Sequence, residues 1–267
     1  MHVLLTNDDG YDAPGLRALY EAVSGLAGAS IEVIAPSEAQ SGKGHVVSDR
    51  FRLRAAEAEG IGPLTVVEGS PADCVRAAVG LPGRRRPDWV LSGINRGSNL
   101  GIDIYNSGTV AAAREAGFYG IPAIALSQYT RGGAPVEWLR STRTAAAVIA
   151  AIIMPDAPCP PHAPPRDHAL IAEALRRSPP AMSRGWWNVN LPIPDGDQPT
   201  RGAMLTRISR DPYHLDYRVL READGSESCE NVASYHDRPA APGTDVAAVF
   251  EGWISISPLK WCDESAF

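Results

Sequence analysis

From residue 1 to about residue 154, short apolar runs rich in branched residues alternate with amphipathic or alanine-rich stretches. That is the βαβ rhythm of a parallel sheet covered by helices. The apolar runs predict strands at His2–Thr6, Ile31–Ala35 (stopped by Pro36), Leu64–Val67, Asp88–Leu91 and Ile121–Leu126. Between them a helix is expected from Pro14 to about Leu26, since proline at the first helical position removes an amide that would have been unpaired. Ser70-Pro71 opens a capped helix over Ala72–Leu81. Ser107–Phe118 starts on a serine and carries helical spacing, and Glu137–Met154 reads as a long alanine-rich helix.

Six prolines between Pro155 and Pro165 exclude a helix or a central strand and mark the clearest boundary. After a short helical patch at Asp167–Arg177, strand-like runs at Trp187–Leu191, Ala203–Ile208, His214–Leu220 and Ala247–Ser257 predict antiparallel hairpins. The expected division is a parallel α/β core over 1–154, a proline-rich insertion with a short helix over 155–185, and a C-terminal hairpin region with a final core strand over 186–267.

Composition narrows the class. Of 267 residues, 44% are hydrophobic and 21% charged, a globular mix that argues against disorder. The formal charge of −6 removes any global case for binding a nucleic acid polymer. The run Arg84–Arg86 reads as a solvated turn. Ala145–Met154, the longest apolar stretch, is about half of the ~20 residues a membrane span needs. The opening MHVLLTNDDG lacks the charged-then-apolar pattern of a signal peptide. The expectation is a cytoplasmic protein with no membrane partner. Cys74, Cys159, Cys229 and Cys262 are scattered without a C-x-x-C pair and read as free thiols.

In an open parallel sheet the ligand crevice lies beyond the carboxyl ends of the strands. The first strand ends in Thr6-Asn7-Asp8-Asp9-Gly10, two adjacent carboxylates where the chain leaves the sheet. They can converge on a hard cation, or simply form a polar turn with Gly10. Two further strand ends, Ala35-Pro36-Ser37 to Ser41-Gly42 and Ser92-Gly93-Ile94-Asn95, bring neutral oxygens to the same rim and favour the cation. An oxygen-only set suits Mg²⁺ or Mn²⁺ and not zinc. Fewer than six protein ligands leaves room for water and a substrate oxygen, as Mg²⁺ sites acting on phosphates generally do. Asn106-Ser107-Gly108-Thr109 opens a helix, where free amides attract an anion, although Asn106 or Ser107 could equally be an ordinary cap.

Cys159 and His162 carry ligand types but stand without partners in the proline-rich stretch. His45, His214 and His236 are candidate proton donors or structural residues, and Trp186 and Trp187 read as core or interface anchors. No G-x-G-x-x-G, Walker loop or G-x-S-x-G occurs.

At these residues the chain resembles the SurE family, stationary-phase survival proteins that are metal-dependent 5′/3′-nucleotidases and acid phosphatases. The resemblance rests on LLTNDDGYDAPGL (4–16), APSEAQSG (35–42), GSPADCV (69–75), PDWVLSGINRGSNLG (87–101), SGTVAAAREA (107–116), NVNLP (188–192) and GTDVAAVFEGWISISPL (243–259), in order along nearly the whole chain. It implies that Asp8, Asp9, Ser41 and Asn95 hold one divalent cation per subunit, and that Asn99 with Ser107, Gly108 and Thr109 holds the phosphate. It also implies a Rossmann-like three-layer core. The C-terminal antiparallel hairpin region would be exchanged between subunits of a homodimer or homotetramer. Three departures stand out: Asn106, preceded by Tyr105, where the family commonly has Tyr before SGTV; Gly42-Lys43-Gly44-His45 in place of a small polar run; and the proline-rich stretch, which looks like an insertion.

The implied reaction is hydrolysis of nucleoside monophosphates by in-line attack of water, with Asp8 and Asp9 as the catalytic residues, Asp9 as an alternative activator of the water, and the general acid left open. Direct attack by Asp9 ranks last, because a carboxylate tied to a metal is a poor nucleophile. Two other classes share the same residues: a nucleotide-sugar transferase, which would need an acceptor sugar, and a nucleotide-binding scaffold, which would release no phosphate.

Overall fold

The computed structural model describes residues 1–132, 134–177, 185–193 and 198–260. In chain order the elements are β1 (His2–Thr6), α1 (Pro14–Ser24), β2 (Ser30–Pro36), β3 (Arg52–Ala58), β4 (Gly62–Glu68), α2 (Pro71–Gly80), β5 (Trp89–Arg96), α3 (Asp103–Asn106), α4 (Gly108–Phe118), β6 (Ala123–Gln128), α5 (Trp138–Ile153), α6 (Pro165–Arg177), β7 (Gly185–Leu191), β8 (Ala203–Leu205), β9 (Tyr217–Arg221), β10 (Glu227–Asn231), α7 (Asp245–Phe250) and β11 (Ile254–Lys260). A 3₁₀ turn spans Tyr235–Asp237.

Nine strands form one sheet in the order β3-β4-β2-β1-β5-β6-β7-β11-β8. From β4 to β7 every neighbouring pair is parallel. Taken alone, those six strands read 3-2-1-4-5-6 in chain order, the doubly wound Rossmann arrangement. The chain moves outward from β1 to β2 and β4, then returns to the other side of β1 with β5. The carboxyl ends of β1 and β5 therefore flank the switch point, where a crevice must open.

Alternation along β1 builds the layers. Val3 and Leu5 join a core with Leu16, Leu19 and Val23 of α1 and with α5 and α6, whereas Leu4 joins the opposite core with α2 and α4. Trp187 and Trp186 divide between the same two cores. At α2 a capping box closes the first turn: the Ser70 hydroxyl accepts from Asp73 N at 3.1 Å and the Asp73 carboxylate accepts from Ser70 N at 2.9 Å.

Several elements differ from the expectation. Ala247–Ser257 is not one strand but α7 followed by β11: the Thr244 hydroxyl caps the helix by accepting from Ala247 N, and Gly252, at φ +87°, breaks the chain between the two. The C-terminal half is not a set of antiparallel hairpins throughout, because β7 extends the core sheet parallel to β6, and β8 pairs parallel with β11. The β9–β10 hairpin is antiparallel and stands as its own two-stranded sheet. Residues 178–184 of the expected insertion, and 261–267 with Cys262, lie outside the described residues. Cys74, Cys159 and Cys229 are free thiols. Among the described residues no helix is long and apolar enough to cross a membrane.

Candidate metal and phosphate site

The turn after β1 begins the site. The Asn7 amide donates to the Gly10 carbonyl at 2.7 Å, and Gly10 takes φ +106°, which reverses the chain and brings both aspartates to the sheet edge. Asp8 is 3% exposed. The Thr109 hydroxyl donates to Asp8 Oδ1 at 2.5 Å, and Gly108 sits so close that a Cβ there would fall 2.8 Å from Asp8 Cβ. The opening turn of α4 is thus laid against the first aspartate. Ser107 is the cap of that helix, its hydroxyl accepting from Val110 N at 3.0 Å, and Asn106 is not.

Asp9 reaches the other way. Its Oδ2 accepts from the backbone N–H of Arg96 at 3.2 Å, at the end of β5 and next to Asn95. The pairing of β5 with β6 shifts register between Ser92 and Asn95, a bulge centred on Gly93 at φ +139°, where a Cβ would strike the Leu126 carbonyl. Bulges of this kind re-aim the side chain that follows. Asn95 donates its Nδ2 to the Gly97 carbonyl at 2.8 Å, which turns its Oδ1 away from that carbonyl as an acceptor.

The loop after β2 joins at its backbone, where Gln40 N donates to the Asp8 carbonyl at 2.7 Å. Ser41 follows on the exposed side of that contact. Among the described residues no hydrogen bond ties its hydroxyl to either carboxylate. Asn99 is buried, and its Nδ2 donates to Ser127 Oγ at 2.7 Å. Its backbone N–H donates to Asn190 Oδ1 at 2.8 Å, and its carbonyl accepts from the side chains of Asn188 and Asn190. Ser127, Asn188 and Asn190 lie outside the residues to which the sequence assigns a role in the site. The only signal for the asparagines is their period of two inside the apolar run of β7.

Electrostatics make the edge short of positive charge. Burial, opposed by the Thr109 hydroxyl and reinforced by the Asp9 charge, pushes Asp8 up to about 6. Burial raises Asp9 as well, against the pull of Arg96. Asn7 Oδ1 and Ser92 Oγ are buried without a hydrogen-bond partner among the described residues, and unspent acceptors of this kind are costly unless something meets them. Two carboxylates, one of them buried, with an amide oxygen and a hydroxyl on the loop bonded to the Asp8 backbone, fit a hard divalent cation. No three His, Cys, Asp or Glu side chains gather as a ligand set among the described residues. A cleft of about 590 Å³ opens beside Asp9, walled by Asp12, Pro14, Arg96, Val136 and Trp138.

The remaining candidates stand elsewhere. His45 Nε2 is 2.7 Å from the Glu115 carboxylate, His236 Nδ1 is 2.6 Å from the Tyr129 hydroxyl, and His214 is exposed. His162 packs where Gly25 has no side chain, with its Nε2 on the Ala22 carbonyl at 3.4 Å, and Cys159 lies beside the Ala163 carbonyl.

The family model described as survival protein SurE matches residues 3–215. A 5′-nucleotidase SurE of Methylococcus capsulatus is 37% identical over 262 residues, covering 97% of this chain and 91% of the relative. A 5′/3′-nucleotidase SurE of Shigella dysenteriae is 36% identical over 265 residues, covering 97% and 90%. The crystal structure of the SurE protein from Aquifex aeolicus superposes with a TM-score of 0.76 at 28% identity, over 100% of this chain and 96% of that one. Sequence and architecture agree from end to end, and the chain belongs to the survival protein SurE family.

Proposed function

We propose that the chain hydrolyses nucleoside monophosphates to nucleoside and phosphate, with one Mg²⁺ or Mn²⁺ per subunit held by Asp8, Asp9, Ser41 and Asn95. The bond between Thr109 and Asp8 carries this reading, because it joins a carboxylate of the ligand set to the amide-rich opening turn of α4. A cation and a helix end then serve one small volume, which is the principal demand of phosphoryl transfer: charge stabilisation around equatorial oxygens. The nucleotidase names of the relatives supply the substrate class.

When bound, a divalent ion acts there as a Lewis acid on a phosphate oxygen. The chain's own groups orient and discriminate. Asn99, Ser107, Gly108 and Thr109 hold the phosphate, with the positive end of α4 directed at it. The buried asparagines of β7 keep the Asn99 backbone in place. Asp9, with Oδ2 on the Arg96 amide, is oriented so that Oδ1 is the oxygen left for the cation. The cleft walled by Arg96 and Trp138 receives the nucleoside.

We infer assembly into a homodimer or homotetramer, a reading the hairpin supports. Every residue of β9 and β10 is exposed, including Tyr217, Val219 and Leu220, and a lone two-stranded sheet is marginal in water. A second copy of the chain covers it.

Phosphate release from adenosine monophosphate under saturating Mn²⁺, with and without chelator, tests the reading. Asp8→Asn and Asp9→Asn should each lose more than about 100-fold in activity while circular dichroism and size stay unchanged. Normal release from either variant, or after chelation, overturns it. Release without an acceptor sugar separates hydrolysis from transfer.

A further inference from the structure

The loop that carries Ser41 is clamped at two points. On one side Gln40 N donates to the Asp8 carbonyl at 2.7 Å. On the other, Gly44 N donates to the Asn106 carbonyl at 3.1 Å, and the next residue, His45, places Nε2 2.7 Å from Glu115 Oε2. Between the clamps lie Ser41, Gly42 and Lys43. Gly42 and Gly44 occupy left-handed backbone at φ +74° and φ +65°, conformations that glycine enters freely but that do not by themselves hold a neighbour in place. Lys43 bonds back to Gln40 through its N–H at 3.3 Å and its Nζ at 2.9 Å, so the exposed serine sits in a turn whose near end is held on Asp8 and whose far end is held by the second clamp.

The second clamp is built from buried charge. Glu115, on the helix whose first turn meets Asp8, is 1% exposed in its side chain, and its other oxygen accepts from Arg76 Nε at 2.6 Å. Arg76 alone would give Glu115 a counter-charge, so His45 is not required to neutralise it. The ring is fixed from two further directions: it stacks on Phe118 with centroids 5.3 Å apart at 10°, and Arg114 Nη1 lies 3.5 Å from its Nδ1. An imidazole held on three sides at the foot of a glycine-rich loop is a strut.

We infer that His45 is a positioning residue: by docking on Glu115 it fixes the Ser41 hydroxyl relative to Asp8 and so sets the affinity of the site for its divalent cation. This rests on the reading of Ser41 as a ligand.

The test is calorimetric titration of the full chain with Mn²⁺ alone. His45→Phe keeps a ring against Phe118 and removes the hydrogen bond to Glu115; His45→Gln keeps a donor. Weakening of Mn²⁺ binding by about tenfold in His45→Phe is expected, with recovery in His45→Gln. In a Ser41→Ala background the same His45→Phe change should alter binding by less than about twofold, because the residue acts through Ser41. A purely structural role would weaken binding equally in both backgrounds, and that result overturns the inference, as does wild-type affinity in His45→Phe. If Ser41→Ala by itself binds Mn²⁺ like the wild type, the ligand assignment fails and the strut falls with it. Weakened Ser41→Ala beside normal His45→Phe refutes the strut alone.

Discussion

The Thr109 hydroxyl donates to Asp8 Oδ1 at 2.5 Å across 101 positions of sequence. The bond makes a strand-end carboxylate and a helix start into one structural unit, and it uses one oxygen of Asp8 while leaving the other. Any change in the first turn of α4 is therefore a change at Asp8.

Gly108→Ala isolates that coupling. Alanine in place of glycine ordinarily stabilises a helix by up to about 1 kcal/mol. Here its Cβ would lie 2.8 Å from Asp8 Cβ and 3.0 Å from Oδ2, and the buried β1 turn leaves Asp8 no room to retreat. The variant should stay folded and lose about tenfold or more in Mn²⁺ affinity, read by calorimetry. Wild-type affinity would show that the turn and the carboxylate are not coupled.

Trp138→Ala addresses the cleft beside Asp9. Loss of an aromatic wall is worth about 0.5–1.5 kcal/mol of stacking, so KM for adenosine monophosphate should rise about 2- to 10-fold with kcat little changed. KM for glycerol phosphate should not move. Because the indole also packs on Gly15, a lower melting temperature accompanies the change. Equal KM increases for both substrates would contradict the assignment.

Glu115 makes stability depend on pH. Burial pulls its carboxyl upward, yet the hydrogen bonds and charges of His45 and Arg76 outweigh this and leave it below the ordinary value of 4.5. A lowered folded pKa contributes stability above the unfolded value, and that contribution fades as pH falls through the folded one. Urea unfolding of wild type and Glu115→Gln should differ most above about pH 5 and converge in more acid solution. A difference that grows on acidification would reverse the sign and refute the cause.

Asp245 ties the C-terminal segment to the Asn99 loop. Its carboxylate accepts from Gly101 N at 2.7 Å and from Ser209 N and Val246 N at 2.9 Å. Asp245→Ala leaves two distant buried amides unpaired, at about 1–3 kcal/mol each, so destabilisation of about 2–6 kcal/mol is expected by urea titration. A loss under 1 kcal/mol would mean that water takes over both donors.

The paired aspartates and the helix cap at Ser70 are legible in the sequence because each is a local pattern, although Asp8 finds its partner Thr109 only 101 positions away. β3 is not legible. It is an edge strand with arginines and a glutamate exposed along it, so the apolar alternation that marks half-buried strands is absent. The run Ala247–Ser257 reads as a strand for the opposite reason: a continuous apolar stretch also fits a buried helix, and Gly252 within it marks the break. Asn188 and Asn190 escape because their partner, Asn99, lies about 90 positions away, and only the pairing of β7 with β6 brings them together.

That pairing also orders events during synthesis. A ribosome that has released residues 1–184 has delivered both acidic side chains of the β1 turn, while the strand that seats Asn99 is still inside its exit tunnel. A chain truncated before Gly185 lacks Asn188 and Asn190, and the Asn99 amide and carbonyl are then without those partners.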